Sequence, residues 1–480
     1  MDALRFFIVD IRFSERDVKL RLPFRFGAAT LKACPEVFVR ARLCFSDGSS
    51  QIGCAAEMLV PKWFDKNPLL TNEENIQQLR DALLSARSAY LSSGSIKNAK
   101  TAWQHFAQNY QALQNAGLQA GLNPLVTSYG TALIDRAILD ALCLKLQVSF
   151  AAAMRVNAAG MDLNDTALAD DLLGFDLPRF LSFQTPRMRI AARHTVGLLD
   201  VIHEADKAED APQDGLPCSL EAAISRYGHH HFKLKLCGDS RADLDRLTNI
   251  NSVTQAHAQL ITLDGNEQYE SADAFQDFFN QLKSTPTLKA LVNKTVFVEQ
   301  PIRRDRAMSE DISALAQRIP LLVDESDSTL DAFTHAKTLG YTGVSSKSCK
   351  GFYKSVINAA RCVNWNTTSS KPGQRYFLSG EDLTMQAGIG VQQDLALVSW
   401  LGLTHVERNG HHYVNGMMAA SALEQQAALL SHNTLYEHSS NAVRLRITNG
   451  EISTESFQCI GFATTQTGAH VCWGNMSSSY

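Results

Sequence analysis

The stretch HFKLKLCGD, His231–Asp239, reads as a short strand whose alternation sets Lys233 and Lys235 on one face. On an exposed edge, two solvated lysines need no explanation. In a parallel sheet covered on both sides that face is buried, and two ammonium groups one residue apart then need a chemical reason. The surrounding chain decides between these readings.

Outward from this strand the chain repeats. Between residues 187 and 415 the apolar stretches RIAARHTVGL, HFKLKLCG, QLITLDGNE, TVFVEQPI, PLLVDES, TGVSSKSC, RYFLSGEDL and LTHVERNG alternate with helix-length segments such as RADLDRLTNINSVTQAH and FYKSVINAARCVNW. Such alternation implies right-handed βαβ units and a parallel sheet. Eight repeats match an α/β barrel of the (β/α)8, TIM-barrel type. An open doubly wound sheet is the rival, but no GxGxxG follows the first strand.

Residues 1–150 differ. FFIVDIRF, VFVRARLCF and SQIGCAAEML read as an antiparallel meander, and NIQQLRDALLSARSAYL and TALIDRAILDALCLKL have helical spacing. An α+β domain is expected there, with 151–186 connecting it to the barrel. The tail, 416–480, offers a helix in MMAASALEQQAALL and strands in AVRLRIT and ESFQCIGFA. It is expected to pack back on the N-terminal domain. KAEDAPQDG and NTTSSKPGQ read as surface loops.

The 480 residues are 45% hydrophobic and 20% charged, with net charge -4. That balance suits a soluble globular protein and gives no reason to expect nucleic acid or an anionic membrane as partner. The N-terminus, MDALRFFIVDIRFSERDVKL, mixes charge into its apolar run too early for a secretory signal. No stretch approaches the ~18 apolar residues of a membrane span. The ten cysteines form no CxxC pair, so reduced thiols in a cytoplasm are expected.

In such barrels the chemistry gathers at the C-terminal strand ends. In order these ends carry Lys233 and Lys235, Asp264 with Asn266, Glu299, Asp324 with Glu325, and Lys347. One strand-terminal Asp is usually a turn former or helix cap. Three carboxylates on consecutive strands, flanked by lysines, read as a shared site. Asp264, Glu299 and Asp324 supply hard oxygen ligands suited to Mg²⁺, with Mn²⁺ as the substitute. Without a cation they would repel one another and resist ionisation. Lys235 approaches a bound substrate from one side and Lys347 from the other. Burial beside the cation and Lys233 favours the neutral amine that a general base requires.

Together KLK (233–235), LDGN (263–266), VEQP (298–301), VDES (323–326) and SSKSCKG (345–351) resemble the enolase superfamily, within it the muconate lactonizing enzyme subgroup of the mandelate racemase/muconate lactonizing enzyme family. PFRFGAATLKACPEVFVRARLCFSDGSSQIGCAAE is similar to that family's capping domain, with mobile loops around Phe24–Thr30 and Glu57–Trp63. The resemblance implies a modified barrel whose cap combines the N-terminal region with the C-terminal tail. It implies removal of the proton α to a small-molecule carboxylate, with a metal stabilising the enediolate. It makes Lys235 and Lys347 the acid/base pair, Asp264, Glu299 and Asp324 the ligands, and Lys233 an electrostatic support. Asn266 and Gln300 then sit just behind the ligands, and a homo-oligomer is expected.

Reaction outcome rests on the cap loops and the last two strand ends, SGEDLT (379–384) and HVERNGHHY (405–413). Dipeptide-acting members tend to carry Asp-x-Asp at the last strand. Here His405 and Glu407 stand in that place, a departure that argues against dipeptide specificity. Glu407, Glu381 and Asp382 are candidates for holding a cationic group or acting as an extra acid. Glu57 and Glu325 are further candidates to touch substrate. A solvated rim, or an N-cap role for Asp382, is the plain alternative. GHHH (228–231) precedes its strand and is expected at the barrel end away from the site. GHHY (410–413) is expected near the mouth, and Cys349 in packing. Two opposed lysines suit a racemase or epimerase. β-elimination or cycloisomerisation at the same site is the second reading, and a non-catalytic barrel the third.

Overall fold

Three antiparallel strands open the chain, the first two alternating between buried and open positions over part of their length and the third buried throughout Gly53–Met58. They are β1 (Phe6–Phe26), β2 (Ala29–Phe45) and β3 (Ser50–Met58). The computed structural model describes residues 3–480 apart from 28, 93–97, 165–167, 370–372, 465–467 and 469. The hairpin runs further than the quoted alternation suggested. Its register shifts between Lys19 and Phe24, then resumes as Phe24 faces Leu31. The loop expected around Phe24–Thr30 is therefore a hairpin tip, of which residue 28 lies outside the described residues. So do residues 370–372 of the expected loop NTTSSKPGQ.

Three helices cover this sheet: α1 (Asn72–Leu91), α2 (Ala102–Gln119) and α3 (Pro124–Leu146). The sequence announces the first through a capping box at Thr71 and Glu74, and the third through Asn123 followed by Pro124. α2, not singled out from the sequence, also has a capping box, at Thr101 and Gln104. α3 lies so close to β3 that a Cβ on Gly53 would meet Ala137 O and Ala141 N at 2.2 Å. Only glycine allows that approach.

The barrel strands are β4 (Arg189–Val196), β5 (His231–Lys235), β6 (Leu260–Asp264), β7 (Thr295–Glu299), β8 (Leu321–Val323), β9 (Gly343–Ser346), β10 (Phe377–Gly380) and β11 (His405–Arg408). They pair in sequence order, all parallel, and β11 closes on β4. The open doubly wound alternative is thereby excluded. Among the described residues no helix is long and apolar enough to cross a membrane.

The tail splits between the two bodies. Tyr436–Ser439 (β12) and Ala442–Leu445 (β13) form a hairpin, Glu451–Ser453 (β14) pairs antiparallel with β4, and Ser478–Ser479 (β15) extends the N-terminal sheet beside β1. ESFQCIGFA does not form the expected strand. Glu455–Gln458 is a 3₁₀ turn that buries Phe457, and Phe462 stacks on Phe150 at 4.0 Å. Its apolar residues are buried by turning inward, which mimics alternation.

Two buried histidines make this core acid-sensitive. His105 and His432 are 1% and 0% exposed, and each has a ring nitrogen 3.1 Å from a backbone carbonyl, of Phe6 and Ala463 respectively. Burial pushes both down to about 4. The unfolded chain then binds more protons below about 6.5, so stability present above that pH is lost as pH falls toward about 4. Each site contributes up to about 3 kcal/mol of this loss. Urea melts across pH 4–7 should show it, and a His105→Gln/His432→Gln variant should show a flatter profile.

Candidate active site

The barrel register places the chemistry in one layer. Lys235 lies beside Asp264, and Asp264 beside Glu299, on adjacent strands. Asp324 and Lys347 directly follow β8 and β9. The second and sixth strands of an eight-stranded barrel stand opposite each other, so Lys235 and Lys347 face across the axis, with the carboxylates of strands three, four and five between them. Both lysines are buried, as are Lys233 and all three carboxylates.

Lys235 Nζ donates to Asp264 Oδ2 at 2.6 Å and Lys347 Nζ to Asp324 Oδ2 at 2.7 Å. Lys233 Nζ lies 2.9 Å from Asp264, 2.7 Å from Glu299, 2.8 Å from Glu381 and 3.0 Å from Glu407. An ammonium has three N–H donors, so four carboxylates exceed what Lys233 can serve. Its hydrogen bonds go to Glu299 Oε1, Glu381 and Glu407, and Glu299 Oε2, though 2.7 Å from the ammonium, is left without one. Burial, and then Asp264 and Glu381, push the Glu299 carboxyl well above the usual range. Asp324 is held well below it, because Lys347 and Lys350 outweigh burial. Three buried carboxylates on neighbouring strands, with Glu299 between them short of positive charge, offer the oxygen donors that suit a hard divalent cation.

Burial pulls Lys347 down, but Asp324 outweighs it and raises this amine above its ordinary range. The expected neutral base is thus not what these residues alone produce, because the carboxylate touching the amine favours its charged form.

Other candidates are reassigned by their contacts. Glu381 is no solvated rim; it is fully buried and paired with Arg193, which also donates to Ser379 Oγ at 2.9 Å. Asp382 is buried and caps no helix. Its carboxylate accepts from the backbone N–H of Leu383 and Asn409 and pairs with Arg408 at 3.2 Å, tying two strand ends together. Glu407 accepts from Thr195 at 2.6 Å as well as pairing with Lys233. Gln300 Oε1 accepts from the N–H of Asp324 at 3.0 Å, and Asn266 Nδ2 donates to Glu325 at 3.1 Å. These last contacts orient the ligand-bearing strand ends. Glu57 lies away from the cavity, paired with Arg136 at 3.1 Å and accepting from Ser348 at 2.9 Å. Arg193 and Lys350 were missed. Arg193 and Thr195 alternate in the first strand as the two lysines do in the second, and the same reasoning would have found them.

A cavity lies over this layer, lined by Phe24 and Phe26 of β1, Val60 and Trp63 beyond β3, Lys235, Asn266, Lys347, Asp382–Thr384, Glu407 and Asn409. The Trp63 ring sits 4.1 Å from Lys347 Nζ, a cation–π contact. The enclosed space is about 20 Å³, enough for roughly one water.

No family model and no curated protein sequence matches the chain. Solved structures do. An enolase from Bradyrhizobium complexed with magnesium and mandelic acid aligns with 98% of this chain and 99% of its own, at TM-score 0.58 and 12% identity. A member of the enolase superfamily from Enterococcus faecalis aligns with 99% of both chains at TM-score 0.57 and 14% identity. This is the enolase-superfamily fold. A dipeptide epimerase from Methylococcus capsulatus complexed with Mg and L-Arg-D-Lys aligns with 93% of this chain and 99% of its own, at TM-score 0.53 and 15% identity. At these identities the fold is what is common. Eight parallel closed strands under an N-terminal sheet are its modified barrel and cap.

Proposed function

We propose that the protein is a Mg²⁺-dependent racemase or epimerase acting at the carbon α to a substrate carboxylate. The observation that carries this is the pair of lysines, Lys235 and Lys347, lining one cavity from opposite sides of the barrel. Asp264, Glu299 and Asp324 would hold the cation, which supplies positive charge to the substrate carboxylate as negative charge develops there. One amine takes the α-proton, and the C–H electron pair passes into the carboxylate. The opposite ammonium returns a proton to the other face, and inversion follows. Two aligned magnesium-bound structures, one with mandelic acid and one with a dipeptide, support this reading.

The cavity also bears on the substrate. Its upper wall is Phe24, Phe26, Val60, Trp63 and Leu383, which suits an apolar substituent. Among the described residues lining the cavity, the two carboxylates already have partners: Asp382 pairs with Arg408 and accepts from the Asn409 N–H, and Glu407 accepts from Lys233, Thr195 and the Asp382 N–H, so neither is turned to an ammonium group. We therefore favour a small carboxylic acid without an α-ammonium over a dipeptide. Such a substrate must displace the β1 tip or the Trp63 segment to reach the lysines, given the space present.

Small apolar 2-substituted acids incubated in D₂O with Mg²⁺ should exchange their α-hydrogen, followed by NMR, and chelation should abolish the exchange. Absence of exchange across such acids, with Mg²⁺ binding confirmed by calorimetry, would overturn the proposal.

A further inference from the structure

Outside the barrel wall, on the far side of β4 from the lysines, three imidazoles converge. Arg193 and Thr195 face inward to Glu381 and Glu407, so His194 between them faces outward. The turn Gly410–Tyr413 after β11 brings His411 against it. His229, two residues before β5, completes the group. All three are buried. His194 Nδ1 lies 3.3 Å from His411 Nε2, and His229 Nε2 lies 3.2 Å from that same nitrogen. The ring centroids are 4.6, 5.1 and 5.3 Å apart. GHHH is therefore not a tract confined to the far end of the barrel: its first histidine meets the first histidine of GHHY.

Hydrogen bonding alone does not explain this meeting. A ring nitrogen carries either one N–H or one lone pair, so His411 Nε2 can serve one of its two neighbours and not both. A tetrahedral cation serves all three. With metal–nitrogen bonds of about 2.0–2.1 Å, the tetrahedral angle sets adjacent donor nitrogens about 3.3–3.4 Å apart and ring centroids about 5 Å apart. The observed spacings are close to these, and the three donor atoms all lie within 4.8 Å of one another. Burial, the largest cause for each ring, also drives all three toward the neutral form that binds metal.

We propose that His194, His229 and His411 bind a zinc ion, with water as the fourth ligand. All-nitrogen donors suit a borderline-soft ion such as Zn²⁺ and disfavour Mg²⁺, which takes oxygen. The ion ties β4, the approach to β5 and the turn after β11 into one unit. Tyr413 of that turn packs on Phe24 at 4.3 Å, and Asn409 just before it lines the cavity. Zinc thus fixes the ground on which the capping hairpin rests. This is independent of the lysine chemistry.

The test is metal analysis of the full-length protein, expressed with supplementary zinc and dialysed against Mg²⁺ buffer. About one zinc per chain is expected, with X-ray absorption showing imidazole nitrogens at about 2.0 Å. His411→Gln should lose the ion and Glu299→Gln should keep it, which separates this site from the carboxylate cluster. The absorption measurement on the unaltered protein stands even where a variant misfolds. Zinc-free protein after such expression overturns the proposal. So does zinc with an oxygen-dominated shell that disappears in Glu299→Gln.

Discussion

Lys347→Ala and Lys235→Ala should each lower kcat by about 10²–10⁴-fold, the range for a positioned acid or base, while Mg²⁺ still binds. Both variants should fold, because neither strands a buried carboxylate. Asp324 keeps Lys350 at 3.3 Å, and Asp264 keeps Lys233 at 2.9 Å. The informative readout is exchange without turnover. In Lys347→Ala, Lys235 still faces one enantiomer and should exchange its α-hydrogen with D₂O without inverting it. Lys235→Ala should exchange the opposite enantiomer. This mirrored pattern belongs to racemisation. If one variant keeps near-normal turnover, one lysine only balances charge, and β-elimination or cycloisomerisation becomes the better reading.

How much of this was legible in the sequence follows from where the chemistry sits. Lys233, Lys235, Asp264, Glu299, Asp324 and Lys347 lie at the ends of short apolar strands, where a buried charge has no bland explanation. Alternation also placed both lysines of β5 inward without help from tertiary structure. Groups matched by distant partners were not legible. Glu57 stands in a cap strand and looks available, but α3 supplies Arg136 to it. Asp382 looks like a rim residue until Arg408 and the Asn409 N–H are placed beside it. His194, His229 and His411 come from three segments, and only the folding back of the turn after β11 brings them together. Lys350 and Lys354 follow Lys347 at helical spacing and both pair with Asp327. A reading centred on strand ends passes over them.

Arg136→Met should destabilise the protein by about 3–5 kcal/mol, the cost of leaving one partner of a buried ion pair alone. Arg136 and Glu57 have fully buried side chains, and Arg136 also donates to Ala56 O at 3.1 Å. Without the guanidinium, Glu57 keeps the Ser348 hydroxyl at 2.9 Å and its own neighbour's N–H, that of Met58, at 3.2 Å, which is too little for a buried carboxylate. Burial already raises its pKa despite Arg136 and Ser348. Removing Arg136 raises it further, so the folded state binds a proton that the unfolded state releases above about 4.3. The deficit therefore deepens as pH rises. Arg136→Met/Glu57→Leu should recover most of the loss, since replacing a whole buried pair by apolar side chains is often near neutral. Chemical denaturation at pH 5 and pH 8 checks both points. A double variant as unstable as the sum of its singles would show that the pair is not a coupled unit. Ser348 follows Lys347 directly, so this pair also anchors the cap to the strand end carrying one of the two amines. Arg136→Met leaves Glu57 on Ser348 and should keep kcat near normal where the protein remains folded, whereas Arg136→Met/Glu57→Leu should lower kcat even though it is more stable, because the hydroxyl of Ser348 then has no carboxylate to hold.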